Sequence, residues 1–145
     1  MTEDDIRKKL ISKLKELDSR GQISDIIDNC GTCEYGADLC FKKNDIFGQP
    51  RTYGIQLKKD DINAYDVEKI LGQLSIAFGH EFPFCSGKQY LNYMYIVTGG
   101  SISPTARDYF KEANVGFRNI FLIDEDILNL FINLNMDLDK LVGEN

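Results

Sequence analysis

The chain has 145 residues, a formal net charge of −6, 43% hydrophobic and 11% aromatic residues. That length and composition point to one domain with room for one proper hydrophobic core and exclude a disordered chain. No apolar run is long enough to cross a bilayer, and the acidic start Met1-Thr2-Glu3-Asp4-Asp5 lacks a signal peptide's basic-then-apolar order, so a cytoplasmic protein is expected.

From about Glu3 to Leu17, Ile6, Leu10, Leu14 and Leu17 recur at helical spacing, with Thr2 as cap and acids in the first turn. Ser19-Arg20-Gly21 breaks this helix, and Ile23 to Ile27 is expected to form a short second one. Cys30 to Gly36 reads as a glycine-bearing loop or a short irregular strand. Ala37 to Lys42 and Thr52 to Lys59 read as strands joined by the turn chemistry of Asn44-Asp45-Ile46-Phe47-Gly48-Gln49-Pro50. Ala64 to Phe78 returns to helical period. Tyr93 to Thr98 is a buried-looking strand, Ser103-Pro104 caps and starts a helix, Asn119 to Ile123 is a strand, and Glu125 to Leu141 is a closing helix. The order predicts an α/β layered fold with a mixed sheet: the early pair is antiparallel, and helical crossovers join the later strands.

A hairpin centred on Phe47 sets Asn44 against Pro50 and Asp38 opposite Gln56. Opposed residues share a face, with Cβ atoms roughly 4.5–5.5 Å apart. Strand alternation puts Lys58 on the face of Gln56 and sends Ile55 and Leu57 to the apolar side. A carboxylate, an amide and an ammonium thus converge on one side of the sheet, where a core strand has no need of them. Mg²⁺, for which Mn²⁺ can substitute, matches such a set, because it takes hard oxygen ligands, few of them from protein, and keeps several waters. Asp38 offers a carboxylate oxygen, Gln56 its amide oxygen and Leu57 its backbone carbonyl. Lys58 is suited to orient or deprotonate an attacking water and to stabilise charge on a pentacovalent phosphorus. One carboxylate makes a thin anionic site, so a second is expected from Glu34 in the adjoining loop, or from Glu3 or Glu16 in the first helix.

The stretch Tyr35-Gly36-Ala37-Asp38-Leu39, followed by Tyr53-Gly54-Ile55-Gln56-Leu57-Lys58, resembles the PD-(D/E)XK nuclease superfamily. It is most similar to the Mrr-like restriction endonuclease branch, whose metal-site triplet reads Gln-x-Lys and whose Asp follows a small, glycine-bearing step. Tyr95-Ile96-Val97-Thr98-Gly99-Gly100 to Ala106, then Phe121-Leu122-Ile123-Asp124, is similar to that branch's closing strand-helix-strand. The likeness spans most of the chain after about Glu34. It implies a three-layer restriction-endonuclease-like fold and Mg²⁺-dependent hydrolysis of DNA phosphodiester bonds, often in restriction or antiviral defence. Asp38 and Gln56 then correspond to metal ligands and Lys58 to the catalytic lysine. Lys59 and Gln73 are candidates to contact substrate.

The acidic balance is awkward for a DNA binder, since phosphates are met mostly by Lys and Arg. It predicts weak DNA affinity for this chain alone, helped by a homodimer or by fusion to a further domain. The acidic charge and the uncharged Gln56 also motivate a second reading: a nuclease-fold domain without catalysis, serving as a nucleic-acid-binding or protein-interaction module. Cys30-Gly-Thr-Cys33 is a lone CxxC without a second pair, so free, partly buried thiols are expected over a zinc-stabilised interaction domain with Cys40, His80 or Cys85. His80, the single histidine, reads as a helix C-terminal residue complementing the dipole. Thr98-Gly99-Gly100-Ser101 reads as turn chemistry, and the flanking Lys42, Lys43 and Lys59 as phosphate contacts or surface charge.

Overall fold

A computed structural model describes residues 2–28, 35–113 and 119–134. The elements are α1 (Glu3–Ser19), β1 (Ser24–Asp28), β2 (Leu39–Asn44), β3 (Pro50–Lys58), α2 (Ala64–Phe78), β4 (Phe82–Phe84), β5 (Gly87–Gln89), β6 (Tyr93–Thr98), α3 (Pro104–Ala113), β7 (Ile120–Ile123) and α4 (Glu125–Leu134). The expected continuation of the last helix to Leu141 lies outside the described residues. No described helix is long and apolar enough to cross a membrane.

Five strands form one mixed sheet in the order β1-β2-β3-β6-β7. β1, β2 and β3 pair antiparallel, whereas β3, β6 and β7 pair parallel. The helices α2 and α3 supply the crossovers that parallel neighbours require. Each strand sends alternate residues to opposite faces. Leu39, Phe41, Tyr53, Ile55, Leu57, Tyr95 and Val97 pack with Ile6, Leu10 and Leu14 of α1 and with Leu128 and Phe131 of α4. Cys40, Met94 and Ile96 pack with Val67, Ile70 and Leu74 of α2 and with Ala106 and Phe110 of α3. The single expected core is therefore two clusters sharing one sheet, in a three-layer α/β architecture.

Local chemistry accounts for most element ends. Thr2 and Asp5 form a reciprocal capping box at α1, and Asn63 and Asp66 form another at α2, each satisfying amide groups that lack helical partners. Ser103 caps α3 by accepting from the Ala106 N–H at 3.1 Å. The hairpin register matches the expectation: Asn44 pairs with Pro50 and Leu39 with Ile55 about a centre at Phe47.

Residues 23–27 depart from the helix expected there. Their Ile spacing is helical, but Ser24–Asp28 pairs with β2 as an edge strand whose register shifts between Ser24 and Ile27, with Asp25 at φ 54°. Five residues are too few to nucleate a helix, so unpaired β2 groups decide the outcome. The small β4–β5 hairpin was not expected, because its strands have three residues each and no alternating pattern to read.

Candidate functional site

The site is built at the end of β3, where β2 has stopped. Gln56 is 4% exposed, and its side chain faces α2 because its neighbours Ile55 and Leu57 face α1. There Gln56 Nε2 donates to Gln73 Oε1 at 2.6 Å. Lys58 Nζ, two residues along on the same face, donates to the same oxygen at 3.0 Å. An ammonium can only donate, so the shared Gln73 atom must be the oxygen. Gln56 must then present its NH₂ to Gln73, which turns its own carbonyl oxygen away. That oxygen, Gln56 Oε1, is buried and has no hydrogen-bond partner among the described residues. A buried acceptor left this way costs about 1–3 kcal/mol and asks for an explanation.

Asp38 reaches the same stretch of β3 by a different route from the one expected. The β2–β3 ladder ends at Leu39 and Ile55. The Asp38 N–H donates to the Ile55 carbonyl at 2.7 Å, and its carboxylate Oδ2 accepts the Leu57 N–H at 2.7 Å. Asp38 therefore leaves the ladder instead of standing squarely opposite Gln56, and its carboxylate lies along the β3 backbone. The reason is local. Leu57 lies past the last ladder pair, and its amide would lack a partner without the carboxylate. The Leu57 carbonyl, on the same edge of the strand as its N–H, also lies beyond that last pair.

The segment before Asp38 is docked on α2 and its end. Gly36 has φ +80°, and a Cβ there would lie 2.4 Å from the Gln73 carbonyl oxygen, so only glycine permits this approach. Tyr35 stacks on His80 with centroids 3.7 Å apart and planes within 8°. His80 thus holds the Asp38 loop against the end of α2, beyond the dipole role its position suggested. The other oxygen of Asp38, Oδ1, lies 3.7 Å from the Arg7 guanidinium, both side chains being 13% exposed. Arg7 also neighbours Asp4 at 3.9 Å and Asp28 at 4.0 Å. No motif marks Arg7 in the sequence; its signal there is a cation beside Ile6 at the margin of the apolar stripe of α1.

The candidates for a second acid separate clearly. Glu3 lines a cleft of about 220 Å³ that also includes Lys58, Lys59, Asp61, Asp66 and Lys69. Glu16 is taken up near the far end of α1 by Lys13 at 3.5 Å and by Arg20. Glu34 lies outside the described residues. Among the described residues no three or more His, Cys, Asp or Glu side chains gather closely enough to form a metal cluster of their own. Lys59 stands exposed at the cleft, whereas Gln73 does not line it and turns to Gln56 and Lys58 instead.

Other singled-out groups have structural employment. Lys42 is buried, bonded to Ser86 Oγ, 3.8 Å from Asp25 and 5.5 Å from the Phe84 ring centroid, so it anchors the β4–β5 hairpin. In the Gly99-Gly100 turn the amides are consumed internally: Gly99 donates to the Lys58 carbonyl, Gly100 to Thr98 Oγ1 and Ser101 to Asp61 Oδ1. Cys40 is buried and Cys85 exposed, and both are thiols outside any disulfide; Cys30 and Cys33 lie outside the described residues. Compared with protein-family models, curated proteins and solved structures, the chain has no match.

Proposed function

We propose that this domain is a metal-dependent endodeoxyribonuclease that hydrolyses DNA phosphodiester bonds, in keeping with its resemblance to Mrr-like restriction endonucleases and with a role in restriction or antiviral defence. The observation that carries the reading is the buried Gln56 oxygen, unpartnered among the described residues, two residues from an ammonium on the same face and beside a carboxylate on the adjoining backbone. An amide oxygen, a carboxylate and the Leu57 carbonyl are hard donors of the kind Mg²⁺ or Mn²⁺ takes together with water and substrate phosphate. When bound, the ion would supply charge stabilisation at the phosphoryl oxygens. Asp38 and Gln56 would hold it, and Glu3 is the α1 acid whose cleft adjoins Lys58. Lys58 would orient the attacking water, assist its deprotonation and offset charge at phosphorus. Lys59 and Lys69 at the cleft would meet the DNA backbone, an interaction that salt weakens.

Asp38→Ala and Lys58→Ala, assayed separately on plasmid DNA with Mg²⁺ or Mn²⁺, test this. The expected loss for the lysine change is about 10²–10⁴-fold in rate, and the aspartate change should abolish cleavage with either metal. Full activity in either variant would sink the mechanism.

The Arg7–Asp38 pair favours a second reading, a nuclease-fold module that binds nucleic acid or protein without cleaving. There Arg7 is the standing counter-ion of Asp38, and no divalent cation is needed. Calorimetric titration with Mn²⁺ separates the two: a binding module takes up no Asp38-dependent metal.

A further inference from the structure

We infer that Gln73 is the positioning residue of this site, selecting which end of the Gln56 amide is offered to a cation; the inference rests on the metal-dependent reading above. The torsion at the end of a glutamine side chain is nearly two-fold, so an amide can turn over and exchange its oxygen for its NH₂ at little intrinsic cost. In one orientation Gln56 presents a ligand oxygen. In the other it presents two N–H groups, which repel a cation. Nothing within Gln56 decides between them.

Gln73 decides. Lys58 Nζ donates to Gln73 Oε1 at 3.0 Å, which commits that oxygen to accepting. Gln56 approaches the same oxygen at 2.6 Å and can do so only with its NH₂. The consequence is a buried Gln56 Oε1 turned away from Gln73, with no hydrogen-bond partner among the described residues. Lys58, Gln73 and Gln56 thus form a chain in which a fixed donor at one end dictates the acceptor at the other. The same helical turn sets the third group, because the Gln73 backbone carbonyl is what Gly36 packs against on the way to Asp38. One turn of α2 therefore orients Gln56, holds Lys58 and docks the Asp38 loop. A neutral amide at position 73 also leaves the Lys58 charge intact, which a carboxylate partner would offset.

The test uses the wild-type chain, Gln73→Met and Gln73→Glu. Met matches the length but accepts nothing; Glu keeps the shared acceptor. In wild type without metal, the Gln56 side-chain NH₂ should be protected from solvent exchange by NMR, and free exchange would overturn the orienting bond whatever the function. In calorimetric titration with Mn²⁺, Gln73→Met should bind about tenfold or more weakly, the range typical of groups that orient metal ligands. Gln73→Glu should stay within about threefold of wild type or bind more tightly. Equal affinity in wild type and Gln73→Met would overturn the positioning role and leave the metal reading standing. Weakened binding in both variants would also overturn it, since the acceptor survives in one. Wild type that takes up no Mn²⁺ would overturn the metal reading, and the positioning role with it.

Discussion

Gln56 is held in the sheet against its own interest. It is 4% exposed with one amide oxygen unsatisfied among the described residues, a situation that destabilises by about 1–3 kcal/mol. Gln56→Met should therefore leave stability unchanged or raise it by up to about 2 kcal/mol in urea denaturation while removing Mn²⁺ uptake. A loss above about 1 kcal/mol would count against the orphan oxygen. Gly36 makes the opposite case, since both its φ of +80° and the 2.4 Å approach to the Gln73 carbonyl exclude a side chain. Gly36→Ala should destabilise by about 2 kcal/mol or more and weaken metal binding, because the Asp38 loop must lift from α2. That Asp38, Gln56 and Lys58 lie near one another at the end of the hairpin was legible from the turn and the strand alternation. Arg7 and the sharing of one Gln73 oxygen were not, because each depends on which helix face meets which strand.

At the scale of elements, the β2–β3 hairpin is the best specified. Its turn is organised by Asp45, whose carboxylate accepts from Phe47 N–H at 2.9 Å, Gln49 N–H at 3.0 Å and Arg51 Nε at 3.2 Å. The Gln49 amide foremost, then Phe47 and Arg51, hold the Asp45 carboxyl below its ordinary value of 3.8. A depressed folded value means that the ionised form favours the native state, so this stabilisation is complete above the unfolded value and fades as pH falls below it. The melting-temperature gap between wild type and Asp45→Asn should be constant near neutral pH and shrink below about pH 4. A gap that does not change with pH would show that the carboxylate charge is idle. The turn residues and the apolar alternation made this register readable in advance, whereas β1 misled. Its isoleucines carry a helical spacing, and only the unpaired edge of β2 makes Ser24–Asp28 a strand.

At the scale of the whole molecule, one sheet carries two cores. Leu14 beneath α1 is wholly buried and Leu74 beneath α2 is 2% exposed, in separate clusters. Leu14→Ala and Leu74→Ala should each cost about 2–5 kcal/mol. Because both faces rest on the same strands, each variant should unfold in one transition, with circular dichroism and tyrosine fluorescence coinciding (the chain has no tryptophan). Separate transitions would mean that the layers fold independently.

The amino-acid sequence by itself determined the layered α/β class, the hairpin register and most helix limits. These follow from periodicity, caps and turn residues, which act between near neighbours. Tertiary structure alone decided that Asp38 leaves the ladder for the Leu57 amide, that Arg7 stands against it, that Glu3 and not Glu16 lines the cleft with Lys58, and that Gln56 and Lys58 share one Gln73 oxygen. Those outcomes depend on side chains from distant segments competing for the same few hydrogen-bonding atoms, a contest settled only once the layers have packed.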